Sequence, residues 1–111
     1  MSTAADSAPS TAVVVRYQTR PDAAERNQEL VRQVFAELNR ERPDGLRYAA
    51  FRLADGVSFV HVVTVEAGVD PLSRSAAFAE FQRELGGRLA GPPVPSPATM
   101  VGSYRFGKDD D

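Results

Sequence analysis

The stretch "GLRYAAFRLADGVSFVHVVTVE", Gly45 to Glu66, decides the fold. It holds two β-branched and aromatic runs around Asp55-Gly56, a turn pair that tolerates positive φ, so it reads as a β-hairpin. With Asp55-Gly56 as a two-residue turn, Arg52 lies opposite Phe59, Ala50 opposite His61 and Tyr48 opposite Val63. Directly opposed residues share a face, so Tyr48, Arg52 and His61 are expected on one side of the sheet, with small Ala50 leaving room beside the imidazole. A three-residue loop would reverse that parity.

Working outward, "TAVVVRYQT" reads as a first strand at about 12 to 19. "RPDAAERNQELVRQVFAELNRERPDG" follows, with Pro21 suited to a first helical turn and Asp22 and Glu25 to its positive end. At 100° per residue Leu30, Val31, Val34, Phe35 and Leu38 form one stripe, and charged residues lie opposite. That is an amphipathic helix on a core, closed by Pro43 and Gly45. Beyond the hairpin, "RSAAFAEFQRELGGRL" reads as a second helix with Phe78, Phe81, Leu85 and Leu89 as its buried line. Gly86 and Gly87 either end it or cost about 1 kcal/mol each. "AGPPVPSP" reads as an extended connection, unfit for a central strand, and "ATMVGSYRF" as the last strand.

The order β-α-β-β-α-β implies an α+β, ferredoxin-like domain: a four-stranded antiparallel sheet, usual order 4-1-3-2, with two helices on one face. Its strands are apolar on both faces. Phe59, His61, Val63 and Val65 alternate with Val60, Val62 and Thr64, and Val14 opposes Val13 and Val15. Two helices cover one face only, and burying a valine or phenylalanine stabilises by about 1.5 to 3 kcal/mol. A second copy of the chain is therefore expected against the other face, giving a homodimer with a cavity or mixed core between the sheets.

The composition narrows the function classes. The 111 residues suit one domain, with an ordered body at 12–106, a disordered lead at 1–11 and a disordered acidic tail at 107–111. A net charge of -2 offers no field for nucleic acid. No cysteine and one histidine exclude disulfides and the usual zinc ligand sets. The start lacks the basic and apolar regions of a signal peptide, and no apolar run reaches membrane-spanning length, so a soluble cytoplasmic protein is expected.

His61, on an inner strand with both faces covered, is expected to be neutral and bonded to a neighbour. The alternative gives it the role of a catalytic base, with Tyr48 and Arg52 orienting a phenolic or carboxylate ligand. Tyr17 and Tyr104 are further polar candidates for the interior. Asn27, at the centre of the first helix's apolar stripe, is expected to satisfy a backbone group, with a ligand contact as the alternative. No phosphate loop, nucleophile elbow or paired-carboxylate signature is present.

The segments "GVSFVHVVTVE", "DPLSRSAAFAEFQREL" and "TMVGSYRF" resemble the antibiotic biosynthesis monooxygenase type of dimeric α/β barrel, and the likeness covers about 12 to 106. The resemblance implies a homodimer with a pocket between sheet and helices in each subunit. Some such proteins oxidise phenolic polyketides or quinols with oxygen and need neither metal nor flavin, and others cleave haem. Their catalytic sites resemble an asparagine, tryptophan and histidine set. This chain has no tryptophan, and "VVVRYQT" offers only Gln18, so no catalytic residue is carried over and no cofactor is implied. Three readings follow: a dimeric barrel binding a small organic ligand, a cofactor-independent oxygenase with His61 as base, or a structural dimer with a filled core.

Overall fold

The computed structural model describes residues 10–106, so the expected acidic tail and the lead before Ser10 lie outside the described residues. Strand β1 (Ser10–Gln18) leads through a single 3-10 turn, Pro21–Ala23, into helix α1 (Ala24–Glu41). Leu30, Val31 and Val34 of its apolar stripe are buried, and Phe35 and Leu38 pack at the margin of the same cluster. The helix stops where Arg42 turns left-handed at φ 52° and returns its N–H to the Leu38 carbonyl, at 2.7 Å. Gly45 then adopts φ 81°, and an added Cβ would lie 2.9 Å from a Val69 methyl, so the turn into β2 (Leu46–Arg52) requires glycine.

The hairpin to β3 (Ser58–Glu66) has the register that the Asp55-Gly56 turn predicts: Arg52 opposite Phe59, Ala50 opposite His61, Tyr48 opposite Val63. Asp55 holds the turn by accepting from the Val57 and Ser58 amides at 3.0 and 2.8 Å and from the Ser58 hydroxyl at 2.6 Å. A second 3-10 turn, Pro71–Arg74, precedes α2 (Ala76–Arg83), whose cap Ser75 accepts from the Phe78 amide at 3.0 Å. The helix breaks at Glu84, before the glycine pair: α2 ends at Arg83, and Gly86 and Gly87 lie inside the short α3 (Leu85–Arg88).

The last strand differs from the sequence expectation. β4 is Val94–Ala98, inside the proline-rich connection, whereas 99–106 is exposed and unpaired, with Val101 98 % exposed. The reason is the edge position: the sheet order is β2-β3-β1-β4. Thr19, just past β1, gives its amide to Val57 on the β3 side, so the even-numbered residues of β1 face β4, and their partners there are Val94, Ser96 and Ala98. Pro95 and Pro97 alternate with these and turn their nitrogens outward, where no N–H is needed. At the opposite edge β2 carries no proline.

Both helices lie on one face, over Tyr17, Phe59, His61 and Ala50. Val14, Val60, Val62 and Phe51 line the other face, where Phe106 lies 6.2 Å from the Phe51 ring.

Candidate functional site

The centre of the helix-covered face is polar. His61 is 4 % exposed and faces Ala50 on one neighbouring strand and Val15 on the other. Each strand places a tyrosine diagonally beside it, Tyr48 from β2 and Tyr17 from β1, at the separation where long side chains meet. The Tyr48 hydroxyl lies 2.8 Å from Nδ1 and the Tyr17 hydroxyl 2.8 Å from Nε2. Asn27 of α1, 0 % exposed, donates Nδ2–H to the Tyr17 hydroxyl at 2.9 Å. Arg88 of α3, 6 % exposed, donates Nε–H to Asn27 Oδ1 at 2.9 Å and a second N–H to the Phe81 carbonyl at 2.6 Å. One ladder, Arg88–Asn27–Tyr17–His61–Tyr48, thus ties three strands to α1 and α3.

Aromatic rings wall it in. Tyr17 stacks on Phe59 at 5.5 Å, His61 on Phe81 at 5.5 Å, and the Arg88 guanidinium sits over Phe81 at 5.3 Å. Among the described residues no carboxylate lies within ion-pair distance of Arg88, so its charge rests on these neutral partners.

Desolvation depresses the His61 pKa to about 4 and raises that of Tyr17 to about 12, partly offset there by the Asn27 hydrogen bond and the Arg88 charge. Burial pushes the Tyr48 phenol up as well. Every titratable member of the ladder except Arg88 is therefore neutral at ordinary pH. Because His61 binds its proton less readily folded than unfolded, its contribution favours the native state fully above the ordinary imidazole range. That contribution drains away as pH falls from about 6.5 to about 4. The expected loss is about 3 kcal/mol over that span. Denaturation midpoints followed from neutral to acid pH should fall more steeply for the wild type than for His61→Gln, and parallel curves would contradict this origin.

The other sequence candidates are placed apart from the imidazole. Arg52 shares its face but bonds the Gly56 carbonyl, Glu25 and Gln28, each at 2.9 Å. Tyr104 is 82 % exposed on the unpaired 99–106 segment. Asn27 satisfies side chains of two other elements, not the backbone group expected of it. Arg88 escaped the sequence reading. Its signal was present: it falls seven residues after Phe81, on an apolar line where a cation must be buried.

Open space lies beside the ladder. A cleft of about 790 Å³ between the end of α1 and β2 is lined by Phe35, Leu38, Arg42, Arg47, Tyr48 and Glu66. A neighbouring cleft of about 470 Å³, lined in part by Val31, Phe35, Ala50, Arg52 and Phe59, continues along the same gap. Tyr48 is the one ladder residue that borders either.

Solved structures share this architecture. Rv0793 from Mycobacterium tuberculosis superimposes with TM-score 0.68 at 22% identity, over 86% of this chain and 98% of that one. Solved structures named as antibiotic biosynthesis monooxygenases share this fold. A candidate antibiotic biosynthesis monooxygenase of Nitrosomonas europaea matches with TM-score 0.69 at 17% identity, over 86% of this chain and 94% of its own. SnoaB, a cofactor-independent oxygenase of Streptomyces nogalater, matches with TM-score 0.60 at 16% identity, over 85% and 95% of the two chains. No family model matches the sequence, and no curated protein does. Among the described residues no helix is long and apolar enough to cross a membrane.

Proposed function

We propose that this chain is a homodimeric α/β barrel that binds a small acidic or phenolic organic molecule in the gap between α1 and β2. The carrying observation is the cleft of about 790 Å³ that ends on Tyr48, the outermost member of an otherwise buried polar ladder. A filled structural core would need no opening there; the lining is largely polar, with Arg42 and Arg47 set beside Asp44 and Glu66, and Phe35 and Leu38 supply its apolar side. His61 is not offered as a base. Both its nitrogens are taken by tyrosine hydroxyls, and it borders neither cleft.

The oxygenase reading is the second one, favoured by the likeness to SnoaB. Calorimetric titration with 2-naphthoate, alongside oxygen uptake on a hydroxynaphthoquinol, separates the two. Saturable binding without uptake is expected, and Tyr48→Phe should weaken it about fivefold to thirtyfold, the loss of one hydrogen bond of about 1 to 2 kcal/mol. Turnover by the wild type that Tyr48→Phe abolishes would replace binding with catalysis. Binding that Tyr48→Phe leaves intact would move the ligand elsewhere.

A further inference from the structure

The ladder has a direction, and Arg88 sets it. A guanidinium can only donate, so the atom of Asn27 that faces Arg88 Nε at 2.9 Å is the carbonyl oxygen. The amide nitrogen of Asn27 therefore faces the Tyr17 hydroxyl at 2.9 Å and donates to it. Tyr17 has one hydrogen left to place. Its buried surroundings offer His61 Nε2, at 2.8 Å, as the acceptor, and any other arrangement would leave that hydroxyl hydrogen without a partner in the core. A neutral imidazole that accepts at Nε2 carries its proton on Nδ1, and Nδ1–H then donates to the Tyr48 oxygen at 2.8 Å. Each step forces the next. The hydroxyl hydrogen of Tyr48 is left over, and among the described residues no other acceptor lies within hydrogen-bond distance of it. Tyr48 borders the cleft of about 790 Å³.

We propose that Arg88 and Asn27 act as positioning residues that fix His61 in the Nδ1–H form, so that Tyr48 presents a hydrogen to the cleft and selects a ligand oxygen that accepts: a ketone, carboxylate or phenolate. This rests on the small-molecule reading for its ligand, while the polarity of the ladder stands on the protein alone. It also explains why a charged arginine is buried here without a carboxylate. A carboxylate in place of Asn27 would accept from both sides and turn every bond beyond the arginine around.

That reversal is the test. In Asn27→Asp the new carboxylate still accepts from Arg88 and now also accepts from Tyr17. His61 then holds its proton on Nε2 and donates to Tyr17, and Tyr48 gives its hydrogen to Nδ1. All groups remain satisfied, so the variant should fold. The ring nitrogens of the single histidine, read by two-bond ¹H–¹⁵N NMR at about pH 8, well above the ordinary imidazole range, should report Nδ1–H in the wild type and Nε2–H in Asn27→Asp. Binding is read with a neutral acceptor, 2-acetylnaphthalene, so that the added charge does not act on the probe. It should bind Asn27→Asp at least tenfold more weakly than wild type, whereas 2-naphthol, which can donate, should lose less. An Nε2–H wild type, or a tautomer unmoved by Asn27→Asp, would overturn the ladder's polarity. The expected tautomers with no binding of either probe would instead overturn the acceptor subsite together with the small-molecule reading.

Discussion

Asn27→Leu is expected to lower the melting temperature by about 15 °C. The leucine fits a fully buried helical position, but it removes the acceptor of Arg88 and the donor to Tyr17 in one step. A buried charged group left without its partner costs more than a neutral one, so the loss should be roughly 3 kcal/mol. In a domain of this size each kcal/mol moves the midpoint by about 4 to 8 °C. The stringent check is the double variant Asn27→Leu with Arg88→Leu. Removing both the charge and the group it needed should recover much of the stability, giving a coupling of about 1 to 3 kcal/mol. Additive losses in a thermal double-mutant cycle would mean that the two side chains do not depend on each other.

Val62→Glu should give a folded monomer. Val62 lies on the inner strand β3, on the face that the helices do not cover, between Val14 and Ala49 on the neighbouring strands. Within one chain the new carboxylate reaches water and disturbs little. Against a second sheet it would be buried without a cation, which costs several kcal/mol and weakens association by a factor of a thousand or more. Light scattering at low micromolar concentration should report twice the chain mass of 12.0 kDa for the wild type and the single mass for the variant. A wild type already at the single mass would remove the dimer, and with it the explanation for two apolar faces.

Much of the architecture was legible because it is encoded locally. Asp55-Gly56 fixes the hairpin register within a few residues, and that register alone brought Tyr48 to the same face as His61. The apolar spacing from Leu30 to Leu38 marked the buried side of α1. The register of β1 against β3 depends on packing between distant segments, so Tyr17 could be named as polar but not placed beside the imidazole. Nothing in the chain near Arg88 announces a partner 61 residues away. The last strand was misplaced for a different reason. Proline lowers strand propensity everywhere except where its nitrogen faces outward, and edge position follows from the whole sheet, not from "VPSPA". The "ATMVGSYRF" run has the stronger propensity, yet beyond Ala98 it pairs with no strand among the described residues.

The alternating prolines of β4 bear on how far molecules of this kind can assemble. A flank lacking hydrogen donors cannot template another backbone, so any lateral recruitment must occur along β2. A body with two adhesive flanks can polymerise without limit, whereas one with a single adhesive flank is used up as soon as two molecules meet. Pro95 and Pro97 therefore act as chain terminators, and replacing both by valine would give this small protein the two-sided geometry from which filaments grow.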